Sequence, residues 1–351
     1  MPDNNRIKIM RRCLDLAAGG EGLTYPNPLV GSVIVCNDSI IGEGFHVRAG
    51  EPHAEVNAVS VVRDKSLLAS STLYVNLEPC SHYGKTPPCT ELIISSGIKK
   101  VVIGTTDTSE KVAGKGIARL KAAGCDVITG VLEDECRRIN HRFFTFNEKK
   151  RPYIILKWAQ STDGFLDVER NTWGSDRPIW ITGNTERVLV HKWRAMEQSI
   201  LVGGETIRAD NPELNTRYWT GNDPVRLILS GSGNINEGSK IFKVKGTNIV
   251  FTKNTEAKFP GAGIVSLTDK GPSASQICSY LYDTGIQSLL VEGGALVLRH
   301  FIESGLWDEA RIFSGKAYFK SGVKAPEISG TEVSKTGFSE SDLMVIFNSD
   351  R

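Results

Sequence analysis

Between Ile7 and Ala18 the apolar positions Ile9, Met10, Cys13, Leu14 and Ala17 recur at helical spacing, and Gly19-Gly20 ends the pattern, so a first helix is predicted there. A proline-asparagine turn, YPNP, leads into VGSVIV, a β-branched run suited to a buried strand. SIIGEGFH is a second strand, expected to pair with the first as a hairpin through Asn37-Asp38. PHAEVNAVSVV returns to helical spacing, STLYVNLEPC reads as a strand running into a turn, and CTELIISSGIKKVVIGT as a helix stopped at Gly97 ahead of another strand. GKGIARLKAAGCDVITG repeats the helix-to-strand order, and this alternation predicts an α/β sandwich.

In HRFFTFNEKKRPY the charged NEKKR and then Pro152 interrupt the pattern, which sets a domain boundary near 147–151 and divides the chain into 1–147 and 151–351. Beyond it YIILKWA, SILVGG, VRLILSG, NIVFT, SLLVEGG, ARIFSG and LMVIF are strand-like apolar runs, interspersed with helical segments such as NTERVLVHKWRAM. This is a second α/β domain, and the sequence carries no internal repeat or low-complexity segment.

Composition narrows the function. With 351 residues, 40% hydrophobic and 23% charged, both domains can bury a core. The net charge of +2, from 42 basic and 40 acidic residues well mixed along the chain, gives no footprint for a nucleic acid. No stretch is apolar enough to predict a membrane span or a secretory leader. Seven cysteines without a dense framework fit reduced thiols in a cytoplasm, so clustered cysteines point to metal rather than to disulfides.

The cluster is EPHAEVNA followed by LEPCSHYGKTPPC. His53, Cys80 and Cys89 offer one imidazole and two thiolates, the ligand number of a catalytic zinc with one position left for water. Glu55 lies close enough in sequence to serve as a fourth ligand, and it is equally placed as the carboxylate that moves a proton from water to a leaving amine. H-x-E with P-C is the signature of zinc deaminases. The usual second half is P-C-x-x-C, whereas SHYGKTPP separates the two cysteines here.

Together PNPLVGSVIV, GFHVRAGEPHAEVNAV, LEPCSHYGKTPPC, AGKGIARLKAAG and GVLEDECRRINHRFFTF resemble the deaminase half of the bifunctional riboflavin-biosynthesis deaminase/reductases, a family with this cysteine spacing. The resemblance implies a cytidine-deaminase-like three-layer α/β/α domain, zinc on His53, Cys80 and Cys89, Glu55 as proton shuttle, and Asn27, His46, His82 and Lys85 as substrate contacts. TDTSEK stands where the family often has a DPNP-like turn.

KWAQSTDG, WITG, GGETIRADNPELNTR and VEGGALVLRHF resemble the reductase half, whose fold is like dihydrofolate reductase. By that resemblance Ala159, Trp180, Thr206, Asp210, Ser230 and the run Gly294, Ala295, Leu296, Val297, Leu298, Arg299 and His300 line an NADPH site, while Arg194, Leu214, Arg217 and Glu292 face a phosphorylated substrate. Phe165, Pro178 and the stretch KAYFKSG depart from the family pattern. No G-x-G-x-x-G follows a strand, which disfavours a Rossmann site.

The expected function is hydrolytic deamination of a diaminopyrimidinone ribosyl phosphate followed by NADPH-dependent reduction of the ribosyl to the ribityl chain. The alternative is a single-activity nucleoside or nucleobase deaminase with a non-functional second domain. The expected partner is a small phosphorylated pyrimidine, without nucleic acid or membrane, and a homo-oligomer, dimer or higher, in the cytoplasm is expected.

Overall fold

The structure, a computed structural model, describes residues 3–83, 87–109, 112–169 and 180–349. The chain divides into two compact units, Met1–Lys150 and Arg151–Arg351.

In the first unit α1 (Asp3–Ala17) precedes β1 (Gly31–Cys36), β2 (Ser39–Phe45), α2 (Ala54–Ser60) and β3 (Thr72–Leu77). Next come α3 (Cys89–Ser95), β4 (Lys100–Thr105), α4 (Lys115–Ala122), β5 (Asp126–Thr129), α5 (Glu133–Ile139) and α6 (His141–Lys149). The last helix runs past Asn147, the end expected from the sequence. The sheet order is β2-β1-β3-β4-β5, antiparallel through β3 and parallel after it. Asn37 and Asp38 form the tight β1–β2 turn with φ of 49° and 60°, conformations these residue types tolerate best.

Strand alternation explains the layers. Ile34, Leu73, Val75, Val101 and Ile103 face one side and pack with Ala58 and Val59 of α2, Ile93 of α3 and Leu120 of α4. Val33, Val35, Tyr74 and Val102 face the other and pack with Met10 and Cys13 of α1 and Cys136 of α5. Helices on both faces make the three-layer α/β/α arrangement that the sequence implied.

The second unit contains β6 (Tyr153–Gln160), β7 (Phe165–Asp167), α7 (Asn184–Met196), β8 (Ser199–Gly203) and α8 (Gly204–Asp210). Then follow β9 (Val225–Leu229), α9 (Lys240–Lys243), β10 (Asn248–Thr252), β11 (Ala262–Ser266) and α10 (Ser273–Asp283). The chain ends with β12 (Ser288–Gly293), α11 (Ala295–Glu303), β13 (Glu309–Gly315), β14 (Val323–Lys324), β15 (Thr331–Gly337) and β16 (Ser341–Phe347). The main sheet runs β11-β10-β9-β8-β12-β6-β13-β16-β15, parallel up to β13 and antiparallel beyond. On one face α11 packs Val297, Leu298 and Phe301 against Ile154 and Leu156 of β6; on the other α7 packs Val190 and Trp193 against Tyr153 and Ile155.

No helix among the described residues is long and apolar enough to cross a membrane.

Candidate active site

His53 is the last extended residue before α2, with φ −71° and ψ 164°. Helix α2 lies close on β2 because Gly44 has no Cβ, which would stand 2.5 Å from the Ala58 nitrogen. Asn57 fixes the same turn by donating Nδ2 to the Phe45 carbonyl at 2.8 Å. Strand β3 delivers the chain to Glu78, Pro79 and Cys80, and Cys89 is the first residue of α3.

Glu78, in the quoted LEPC, is a residue the sequence reasoning passed over. Its buried carboxylate accepts backbone N–H groups from Asp107 at 3.2 Å, Gly114 at 3.0 Å and Ile117 at 3.1 Å, tying the end of β3 to the start of α4. The joint is tight, for a Cβ on Gly116 would fall 2.1 Å from the Pro79 carbonyl oxygen. An acidic residue between an apolar strand and a proline was the available signal.

The ligand atoms of His53, Cys80 and Cys89 lie within 4.8 Å of one another. His53 Nδ1 is 3.3 Å from Cys89 Sγ and 3.6 Å from Cys80 Sγ. A tetrahedral zinc, with bonds of about 2.0–2.1 Å to nitrogen and about 2.3 Å to sulfur, sets such atoms about 3.5 Å apart, so the group fits the ion. The first backbone N–H of α3, from Cys89, donates to Cys80 Sγ at 3.3 Å, and neither cysteine is in a disulfide. Cys80 is the thiolate of the pair, drawn down to about 4 by hydrogen bonding from Cys89 against the opposing effect of burial, with His53 adding to the pull. Cys89 is pushed up by that same bond and by burial, and binding a metal would require it to give up its proton.

Glu55 stands outside the three-residue ligand group but in hydrogen-bonding reach of Cys89. It is buried, and loss of solvation, then the neighbouring Cys80 thiolate, raises its carboxyl above the ordinary range. A carboxyl so raised can both take and return a proton.

Asn27 and His46 come to the same place. The His46 ring stands edge-on to His53 at 5.4 Å between centroids. His46 Nδ1 lies 3.1 Å from the Pro52 carbonyl, which can only accept, so Nδ1 carries the proton and Nε2 accepts from Asn27 Nδ2 at 3.0 Å. Burial, more than any other influence, lowers the pKa of His46. The PNP loop is held from below by Asn140, whose Oδ1 accepts the Leu29 N–H at 2.7 Å, and by Asn76, whose Nδ2 donates to the Leu29 carbonyl at 3.0 Å. His82 is exposed, and Lys85 lies outside the described residues.

In the second unit the connections from β8 and β12 leave in opposite directions, towards β9 and β13, which makes their carboxyl ends a topological switch point. Thr206, near the start of α8, projects into it; a Cβ on Gly294 would be 3.3 Å from its Oγ1. Ser230 follows β9 and reaches Gly204, and Ala159 sits near the carboxyl end of β6, paired with Phe313 of β13. These backbone ends and hydroxyls fit a dinucleotide's pyrophosphate beside α11. The rest of the expected run diverges: Val297 and Leu298 are in the core, Arg299 is exposed, and His300 Nδ1 lies 3.3 Å from Ser273 Oγ on α10. Ala295 and Leu296 open α11, Asp210 closes α8, and exposed Trp180 carries the Arg187 guanidinium 3.7 Å over its ring.

Arg194 and Glu292 meet each other. Arg194 Nε and Nη2 donate to the two Glu292 oxygens at 2.7 and 2.8 Å, and Nη1 donates to the Asn215 carbonyl at 3.2 Å. Burial alone would push the Glu292 carboxyl up, but Arg194 and then Lys157 overcome it and hold it at about 2. Lys157, whose own pKa burial pushes down, is a further residue missed from sequence, signalled only by a lysine inside the apolar strand YIILKWA. Leu214 takes φ 56° with its side chain in the core, and Arg217 remains exposed, donating to Asn215 Oδ1 at 2.7 Å. Of the departing positions, Pro178 lies outside the described residues, whereas KAYFKSG is clamped to the STDG turn: Asp163 accepts the N–H groups of Phe319 at 3.0 Å and Lys320 at 2.7 Å.

A metal-binding deaminase fold and a reductase fold therefore occur in one chain. Residues 3–105 match the cytidine and deoxycytidylate deaminase zinc-binding region, and residues 152–316 match the RibD C-terminal domain. The riboflavin biosynthesis protein RibD of Aquifex aeolicus is 39% identical over 93% of this chain and 90% of its own length. That of Synechocystis is 38% identical over 94% and 88%. The solved diaminohydroxyphosphoribosylaminopyrimidine deaminase/5-amino-6-(5-phosphoribosylamino)uracil reductase of Thermotoga maritima is 36% identical, superposes with a TM-score of 0.89, and matches 99% of this chain and 100% of that one. The chain belongs to the RibD family of bifunctional riboflavin-biosynthesis deaminase/reductases, and its cofactors are zinc and NADPH.

Proposed function

We propose that the first unit deaminates a 2,5-diamino-6-(5-phosphoribosylamino)pyrimidin-4(3H)-one and that the second reduces the ribosyl of the product to a ribityl chain. The observation that carries this reading is the buried Glu55 beside a zinc-sized group of one imidazole and two cysteine sulfurs.

His53, Cys80 and Cys89 would hold zinc, which would supply a Lewis acid able to acidify water. Glu55 takes the proton of the attacking water as oxygen bonds to the amine-bearing ring carbon, and returns it to the nitrogen, which leaves as ammonia. Asn27 is steered by His46 through its amide nitrogen, leaving its carbonyl oxygen to accept from a ring amine. In the second unit Thr206 and the Gly293-Gly294 turn would hold NADPH, which would supply the hydride for reducing the ribosyl C1′, and the protein's part is to orient the two partners. Assembly as a homo-oligomer belongs to the same proposal, as does a cytoplasmic setting, which the free cysteines support.

Cys80→Ser and Cys89→Ser test the metal assignment. Each is expected to lose most of its zinc in metal analysis after dialysis, since three protein ligands leave no surplus. Full zinc occupancy in both variants would move the site elsewhere.

A further inference from the structure

Strand β9 carries an arginine on an apolar face. Arg226 is 0% exposed and shares its side of the sheet with Ile228, which packs with Ile200 and Val250. Burial lowers its pKa, and the Asp223 carboxylate is the charge that opposes this. Its bonds go to main-chain carbonyls: Nη1 donates to Glu213 at 3.3 Å and Nη2 to Val244 at 3.1 Å, while Nε is buried with no partner. A guanidinium buried in this way is a costly means of stabilising a sheet, so its place calls for another reason.

The reason lies in the segment 211–217 that joins α8 to β9. Asn211 and Leu214 both take left-handed backbone, with φ of 43° and 56°, which side-chain-bearing residues keep only where their surroundings hold them. Three anchors do so. Asn211 Oδ1 accepts the N–H of Lys240, the first residue of α9, at 2.7 Å. Arg226 ties Glu213 to Val244, just past the other end of α9. Thr216 donates its N–H and its hydroxyl to Asp223 Oδ1 at 2.8 and 2.7 Å. Between the last two anchors, Asn215 accepts Arg194 Nη1 on its carbonyl at 3.2 Å and Arg217 Nη1 on its Oδ1 at 2.7 Å. Gly246, at φ 136°, makes room below, for a Cβ there would stand 2.6 Å from Arg226 Nη2.

We propose that Arg226 is a positioning residue for the reduction: buried beneath the segment 211–217, it sets Asn215 and through it Arg194 and Arg217, without reaching the substrate itself. The inference rests on the reading that Leu214 and Arg217 face the substrate of the second unit. A planar fork can bond two separate carbonyls at once, whereas an ammonium is a point charge on a flexible stem and a thioether donates nothing. Without the fork the segment relaxes, and the substrate must order it on binding, which weakens affinity. Cofactor binding is expected to be spared, because Arg226 is the second residue of β9, whereas Thr206 and Gly294 follow the carboxyl ends of β8 and β12.

The test uses the full-length zinc-loaded chain and the deaminated intermediate. In calorimetric titration without cofactor, Arg226→Met is expected to weaken binding of the intermediate about tenfold at unchanged stoichiometry, with Arg226→Lys recovering part of the loss. In turnover the KM for the intermediate should rise by a similar factor, and that for NADPH by less than about twofold. Gly246→Ala crowds the same guanidinium from outside the segment and should shift the same KM in the same direction, which keeps the proposal open to test if Arg226→Met does not fold. A purely structural role would instead lower the stoichiometry and kcat and leave both KM values in place; that result, or an equal rise for NADPH, would overturn the proposal. Failure of the wild-type chain to bind or reduce the intermediate would overturn the reading of the second unit, and the proposal with it.

Discussion

Glu55→Gln is expected to slow deamination about a hundredfold or more, the usual cost of losing a positioned general acid-base. Glutamine keeps the shape and polarity of the side chain but cannot take a proton from water. Zinc should remain bound, because Glu55 lies outside the group formed by His53, Cys80 and Cys89. Supplied with the deaminated intermediate, the variant should still oxidise NADPH, because the residues around Thr206 and Gly294 belong to the other unit. Ammonia release, zinc content and NADPH absorbance measured on one preparation decide this. Normal deamination, or loss of both activities in a folded, zinc-loaded protein, would contradict the two-site account.

Arg194→Met should destabilise the second unit by about 3–5 kcal/mol, since it strands a buried carboxylate whose bidentate partner is gone. A shift of this size lowers the thermal midpoint by roughly 10 °C. Lys157 softens the loss without replacing the fork. The pH dependence supplies a second check. Wild-type Glu292 titrates at about 2 in the folded state against an ordinary 4.5, so its contribution, roughly 3 kcal/mol, is present above the ordinary value and lost as pH falls through the folded one. In the variant the folded carboxyl is raised instead, so acid should relieve part of the damage. Arg194→Met combined with Glu292→Gln should recover much of the stability; no recovery would mean that Arg194 acts through packing alone.

The layers of both units were legible because strands and helices carry different periods. Asn37-Asp38 gave the first hairpin, and NTERVLVHKWRAM gave α7 to the residue. Strand β15 was not legible: all of Thr331–Gly337 is exposed, so no burial pattern marks TEVSKTG, and backbone pairing with β16 alone makes it a strand. At the site, side-chain chemistry identified His53, Cys80, Cys89 and Glu55. Sequence could not show that Arg194 is spent on Glu292, 98 positions away, or that Glu78 ties three backbone amides beneath Cys80, because such pairings exist only once the chain is folded.

The most direct measurement follows ammonia and NADPH together when the purified chain meets the diaminopyrimidinone ribosyl phosphate. Ammonia should appear with or without NADPH, and added NADPH should then be consumed to one equivalent of the ammonia released. Ammonia without NADPH consumption would reduce the chain to a deaminase with an idle second unit, and absence of both would contradict the account entirely.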